Sequence, residues 1–201
     1  MRSGMRPSSF VSREARGLAA LVALIVLAGC SGASDETTSG IQSALKLDFA
    51  SWQPVATRDV PQALRDPWLA EHPKQDQMII SGDYFGNGAS SFAALLTKKD
   101  KQGTRVRLVI MKPNEAGRFE SYILQTESPM DTMPVIHTSH KNEYSVNLDG
   151  QNLLVPVEGV VYTRPDGRQK LFFWNVDRFT DIELEGATPQ PAATDTSGPT
   201  S

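Results

Sequence analysis

The chain has 201 residues, with 20 Lys and Arg against 23 Asp and Glu, a formal charge of −3. A mildly acidic surface draws no polyanion, which argues against nucleic acid as a partner. Cys30 is the only cysteine, so no disulfide forms within one chain and packing must hold the core.

The N-terminal stretch is the first segment with a clear pattern. Arg2, Arg6, Arg13 and Arg16 stand against one acid, Glu14, and precede an apolar run over residues 18–29. That run is well short of the roughly 20 residues a spanning helix needs. A positive start, a short apolar run and small residues form the pattern of a secretory signal peptide, expected here over residues 1–29. Met5 would serve as the start as well as Met1, keeping Arg6, Arg13 and Arg16 ahead of the apolar run. Downstream, no stretch reaches the ~18 apolar residues of a transmembrane span.

Leu27-Ala28-Gly29-Cys30 resembles the lipobox of bacterial lipoproteins. The resemblance implies a diacylglyceryl group on the Cys30 thiol, cleavage just before Cys30, and acylation, with palmitate-type chains, of the amino group so released. One acyl chain binds a membrane marginally, at about 0.8 kcal/mol per buried CH₂, whereas two or three make attachment effectively permanent. A single free thiol in an oxidising compartment would be a liability, and lipidation accounts for it. The alternative is an ordinary secreted protein with a cysteine behind its cleavage site by chance. Ser31 resembles the outer-membrane sorting signal, since inner-membrane retention usually takes Asp at that position. The expected location is therefore the cell envelope, lipid-anchored, at the outer membrane facing the periplasm. Removing residues 1–29 takes away four arginines and one glutamate, +3 in all, and leaves −3 − 3 = −6 on the mature chain.

Residues 30–43 read as the lipidated cysteine and a flexible tether, because 31–43 are mostly Ser, Gly, Thr and Ala with two acids. The tail over 187–201 has no large apolar residue and cannot offset the entropy of ordering. Between them, residues 44–186 match the commonest size of a single domain.

Within that domain, residues 45–52 are partly alternating and predict a short strand or an irregular lead-in. A helix is predicted over 62–71, opened by Asp59 or Val60 ahead of Pro61 and closed before Pro73, with a possible interruption at Pro67. Its apolar set, Ala63, Leu64, Trp68 and Leu69, would cover one edge of a sheet. Strands follow at 78–82 and 91–97. Over 104–111, Val106, Leu108 and Ile110 alternate with Arg105 and Arg107, predicting one buried and one polar face. A turn around Pro113, Asn114 and Gly117 leads to a strand over 119–125 that pairs back. Weaker strand signals lie at 135–138 and 144–148, and Asp149-Gly150 is a tight-turn pair.

The clearest hairpin joins 157–163 to 169–175 through Arg164-Pro165-Asp166-Gly167-Arg168. Residues 171–174 are apolar on both faces, so their strand should be central or covered twice. A strand over 179–184 closes the domain. Six to eight short strands with one short N-terminal helix imply a mainly β (α+β) fold built on antiparallel sheet.

Residues 82–96, GDYFGNGASSFAALL, resemble an FG-GAP/VCBS-type repeat, as found in integrin α-subunit propellers and bacterial surface proteins. That family places an acidic calcium loop, D-x-D-G-D-G-x-x-D, between two strands. Asp83, Gly86, Asn87 and Gly88 fall on matching positions, whereas Phe85 and Ser91 stand where the family has carboxylates or amides. Calcium takes six to eight oxygens with several carboxylates among them, and this loop keeps one carboxylate, Asp83, and one amide, Asn87. The expectation is a structural corner, capped by Asp83 and shaped by Gly86 and Gly88, with no metal and no cofactor. The alternative is a weak calcium site. The later run 162–179 is also similar to the closing segment of bacterial proteins that carry one such degenerate repeat.

Other groups are weighed the same way. His137 and His140 are three apart, which on a strand sends the rings to opposite faces, and zinc would need further ligands; both are expected to be solvated loop residues. His72 lies beside Pro73 without an evident partner. The acids Glu158, Asp177, Asp181 and Glu183 could form a glycosidase-like pair only across a cleft, and a solvated face is the expectation. Tyr162, Phe172, Phe173, Trp174 and Phe179 read as core rather than as a ligand groove. Arg105 and Arg107 read as a solvated basic edge.

The common hydrolase, nucleotide and zincin motifs are absent. The expected function is that of a membrane-anchored envelope lipoprotein acting as a non-catalytic binding or structural module, with a protein partner the sequence does not identify. Two alternatives stand beside it: an enzyme acting on envelope polymers, and a calcium-stabilised module.

Overall fold

The computed structural model describes residues 33–148 and 151–184. The expected signal peptide over residues 1–29, Cys30, the Asp149-Gly150 pair and the tail over 187–201 lie outside the described residues. The chain divides into two units, residues 1–40 and 41–201. Of the first, the described part is the opening of helix α1.

The elements, in chain order, are α1 (Ala33–Asp48), β1 (Gln53–Pro54), a 3-10 turn (Thr57–Asp59), α2 (Gln62–Glu71), β2 (Ile79–Gly82), β3 (Ser91–Asp100), β4 (Gly103–Pro113), β5 (Phe119–Glu127), β6 (Val135–Ser139), β7 (Ser145–Leu148), β8 (Gln151–Leu154), β9 (Gly159–Thr163), β10 (Gln169–Asn175) and β11 (Arg178–Glu183). Every strand pair is antiparallel. The fold is mainly β, as the pattern of short strands and turn residues predicts. In the first sheet β3 pairs with β1, β2 and β4, and β4 pairs with β5; the second runs β11-β10-β9-β6, and β7–β8 form a hairpin of their own.

The two sheets share one core. Ile80, Ala93, Leu95, Val106, Leu108 and Ile110 from the first meet Ile136, Val160, Tyr162 and Phe172 from the second. The alternation at 104–111 holds, with one addition: Val109 and Met111 are buried as well, on the opposite face. They are buried there because α1 covers that face.

Helix α1 corrects two expectations. Composition predicts a flexible tether up to Ser43, and alternation predicts a strand or lead-in over 45–52; instead one helix runs through Ala33–Asp48. Ile41, Ala44 and Leu45 are spaced i, i+3, i+4 and, with Phe49, form a stripe packed on Ala94, Leu96, Val109 and Met111. Fully burying an aliphatic or aromatic side chain of this size contributes about 1.5–3 kcal/mol. That burial stabilises a helix that its own Ser- and Thr-rich first half would not hold alone. The apparent alternation of Leu45 and Leu47 misleads because Leu47 is 84% exposed.

Helix α2 has the predicted limits, Gln62–Glu71, and continues through Pro67. Its Trp68 is fully buried and donates its indole N–H to the Ile136 carbonyl at 2.8 Å, while Leu64 and Leu69 pack beside it and Ala63 is exposed. The helix thereby lies against β6, an end strand of the second sheet, and blunts an edge that could otherwise recruit another strand.

β10 is covered twice, as its apolar run predicts. Phe172 faces the shared core, while Leu171 and Phe173 face Tyr144, Val155 and Val161 on the other side. The β9–β10 turn closes with Arg164 N–H donating to the Arg168 carbonyl at 2.9 Å and Gly167 at φ +85°.

Candidate functional site

The corner between β2 and β3 is built from side chains bonding to backbone. Asp83 accepts from the Asn87 N–H on Oδ1 (3.0 Å) and from the Gly88 N–H on Oδ2 (2.8 Å). Asn87 Oδ1 accepts from the Ala89 N–H at 3.0 Å. Ser91, 1% exposed, donates to the Gly82 carbonyl at 2.8 Å and accepts from the Tyr84 N–H at 3.3 Å. The Asp83 N–H donates to Glu158 Oε2 at 2.6 Å, which ties the corner to the segment entering β9. Gly86 and Gly88 hold φ of +66° and +79°, a region that L-residues with a Cβ avoid.

Phe85 explains why an aromatic stands in this loop. Its ring lies 5.3 Å from Tyr122, 4.9 Å from Trp174 and 5.3 Å from Phe179, centroid to centroid. Trp174 and Phe179 are 5.1 Å apart and edge-on, within the range where aromatic pairs attract. The Lys112 ammonium sits 4.8 Å from the Phe85 centroid. The loop therefore closes the gap between β5, β10 and β11 with a side chain. Both Asp83 oxygens already serve as caps. Among the described residues no three His, Cys, Asp or Glu side chains come together as a metal site would need.

The five aromatic residues singled out in the sequence do not form one cluster. Tyr162 and Phe172 lie in the shared core, Phe173 lies on the opposite face of the second sheet, and Trp174 and Phe179 join Phe85 and Tyr122. Burial pushes the Tyr84 and Tyr162 phenols well above the ordinary tyrosine range, with nearby Glu158 and Glu127 adding to it. The Tyr84 hydroxyl pairs with Thr138 Oγ1 at 2.9 Å.

The histidine expectation needs correcting. His137 is on β6, but the strand ends at Ser139, so His140 escapes the strand's alternation. Both line one cavity of about 320 Å³ with Glu71 and Glu143. His137 Nδ1 lies 3.6 Å from Glu71 Oε2, and the His140 backbone N–H donates to Glu143 at 2.7 Å. His72 packs against Trp68 with the rings tilted by 41° and their centroids 4.5 Å apart. Burial lowers its pKa, nearby Glu71 opposes that shift, and nearby His137 adds to it.

The four acids fall in three places. Glu158 caps the Asp83 corner, and Asp181 and Glu183 share the Lys170 ammonium at 3.0 and 3.3 Å. Burial would lower the Lys170 pKa, but the hydrogen bonds its ammonium donates to the two carboxylates hold it above its ordinary value. Asp177 is exposed at the β10–β11 tip, next to Val176 at φ +60°.

Sequence reasoning missed the Glu127–Arg164 pair, which lies in an open groove of about 560 Å³ between residues 126–132 and the β9–β10 turn. Gln125 Nε2 bonds the same carboxylate. Residues 37 apart carry no local signal of such a pairing. Arg105 and Arg107 lie on the α1 side of the first sheet, where Arg107 covers the Trp52 ring at 4.2 Å.

Comparison of the chain with protein-family models, curated proteins and solved structures finds no match.

Proposed function

We propose that this protein is a lipid-anchored envelope lipoprotein whose β domain acts as a non-catalytic binding or structural module. The observation that carries the anchor is Leu27-Ala28-Gly29-Cys30 behind an arginine-rich start, with Cys30 as the only cysteine in the chain. The reading of the domain as a module draws support from its filled interior. Trp68, Tyr84, Tyr162, Leu95 and Met111 are among the largest fully buried side chains. Of the four acids weighed for a hydrolase, three are engaged, Glu158 as a corner cap and Asp181 and Glu183 as partners of Lys170.

Metabolic labelling with a palmitate analogue tests the anchor. The wild-type chain is expected to carry the label and to sediment with membranes. Cys30→Ser should lose the label, and the signal sequence should no longer be removed just before residue 30. If that variant is still labelled and still processed at the same bond, the lipoprotein reading is wrong.

A further inference from the structure

Asn87 and Gly88 form the only Asn-Gly pair in the chain, and both are exposed. In such a pair the next backbone nitrogen reaches the side-chain carbonyl carbon with least obstruction, because glycine carries no Cβ. A Cβ built on Gly88 would meet nothing within 4 Å, so the space around the pair is open to water. The β2–β3 corner also holds that nitrogen and that carbonyl in place.

Three groups converge on the pair. Asp83 Oδ2 accepts from the Gly88 N–H at 2.8 Å, so a carboxylate already stands at the proton that must leave if this nitrogen is to attack. The Ala89 N–H donates to Asn87 Oδ1 at 3.0 Å. That bond folds the Asn87 side chain back over the peptide joining it to Gly88. It also sets a donor at the oxygen on which negative charge develops when the carbonyl is attacked. Asp83 Oδ1 accepts from the Asn87 N–H at 3.0 Å and fixes the residue from its other side. Base, nucleophile and oxyanion donor are thus assembled within one turn of the chain.

Two other turns each have part of this arrangement. Asn114 Oδ1 likewise accepts from the N–H two residues on, that of Ala116, at 3.1 Å, and from the Arg118 N–H at 3.0 Å. Glu115 follows it, however, and puts a Cβ beside the nitrogen. Asp166 is followed by glycine, but the Gly167 N–H donates to the Arg164 carbonyl at 2.9 Å rather than to a carboxylate. The side chain there is an acid whose oxygens bond the Arg168 backbone N–H and Nε, at 3.1 and 2.8 Å. Among these three turns, the Asp83 corner alone joins an amide, a glycine and a carboxylate at the glycine N–H.

We propose that Asn87 is a self-modifying site, deamidated with the Asp83 carboxylate as base. The Gly88 nitrogen gives its proton to Asp83 and bonds to Asn87 Cγ. The Cγ–Nδ2 bond breaks, and the side-chain nitrogen takes that proton and leaves as ammonia. A five-membered cyclic imide remains, and one water opens it. Opening at Cγ leaves an aspartate at 87, a second carboxylate beside Asp83. Opening at the main-chain carbonyl leaves an isoaspartyl link, with the main chain lengthened through Cγ. No electrons are transferred, and water is the co-reactant. Either product alters the corner that the Asp83 N–H ties to Glu158.

The full-length chain is incubated near neutral pH beside a synthetic peptide of residues 82–92, and peptide mapping follows the amide-to-acid mass change at Asn87 and Asn114. Asn87 is expected to convert about 10-fold faster in the folded chain than in the peptide. That falls short of the ~10²-fold of a well-matched base, because a carboxylate is a weak base for an amide N–H. Asn114 should stay intact. Asp83→Asn keeps an oxygen for the cap and should slow conversion about 10-fold; Gly88→Ala should slow it by a similar factor through the added Cβ. As the pH is lowered, conversion of the peptide should fall in step with hydroxide, and that of the folded chain less steeply, because its proton acceptor is built in. Faster conversion in the peptide would overturn the proposal, by showing that the loop shields Asn87. An unchanged rate in Asp83→Asn would overturn it too, and should that variant fail to fold, the chain-against-peptide comparison decides.

Discussion

The two ends of β3 hold two polar neighbourhoods of the first sheet, and they are built on different principles. Before Ser91, the Asp83 corner pairs its polar groups within the chain: carboxylate to backbone N–H, hydroxyl to carbonyl, N–H to Glu158. After Thr97, Lys98 meets the Ser51 hydroxyl, Arg107 meets the Thr126 hydroxyl and covers the Trp52 ring, and Arg105 meets Asp100 and Gln102. A buried polar group without a partner costs about 1–3 kcal/mol, so the first arrangement is one that folding itself requires. Lys98, Arg105 and Arg107 are half-buried, so their stems pack along the sheet while the charged ends meet neighbours or water. Side-chain chemistry of similar polarity thus forms a closed hydrogen-bond network at one end and a looser set of charged contacts at the other.

The largest expected effect would break the corner. A Cβ on Gly86 would lie 2.5 Å from Val157 Cγ1, and the residue holds φ +66°; a Cβ on Gly88 would meet nothing within 4 Å despite φ +79°. Gly86→Val should therefore destabilise the domain by more than about 3 kcal/mol, combining overpacking with backbone strain. Gly88→Ala should cost only the strain, about 1–2 kcal/mol. Urea unfolding of both variants checks the order, and equal losses would show that Val157 moves aside freely.

A smaller effect sharpens the account of Asp83. Asp83→Ala removes the acceptor for two N–H groups and should cost about 1–2 kcal/mol, with Asp83→Asn losing less because an amide oxygen still accepts. Millimolar calcium should leave the melting temperature of the wild-type chain unchanged, since a bound ion would raise it in proportion to RT ln(1 + [L]/Kd). A calcium-dependent rise that vanishes in Asp83→Asn would make the corner a metal site after all.

The smallest effect concerns the cationic end. Lys98→Glu places an acid directly opposite Arg105, and an opposite-charge cross-strand pair is worth about 0.2–1 kcal/mol. The variant should melt at or slightly above the wild-type temperature in low salt. A marked loss of stability would show that Lys98 holds the fold, and the contrast between the two ends of β3 would collapse.

Several of these features are local and therefore legible in the chain. Asp83, Gly86 and Gly88 are separated by a few residues, and their bonds close within the loop. The limits of α2 follow from Pro61 and Pro73, and the β9–β10 hairpin from alternation around Pro165 and Gly167. Helix α1 was not legible, because Ile41, Leu45 and Phe49 become a helical face only once the outer side of β3 and β4 exists to receive them. The role of Phe85 was hidden for the same reason: Tyr122, Trp174 and Phe179 reach it from strands 37 to 94 residues downstream.

The sequence by itself determined the mainly β class, the corner between β2 and β3, and the double burial of β10. Each depends on dihedral preference, short-range hydrogen bonding or hydrophobic period, which neighbouring residues set among themselves. Tertiary structure alone decided that α1 covers the first sheet, that His137 and His140 share a cavity, and that Lys98 stands opposite Arg105. Those outcomes depend on strand register and on which faces meet, and both are chosen by the total apolar surface that the assembled sheets remove from water.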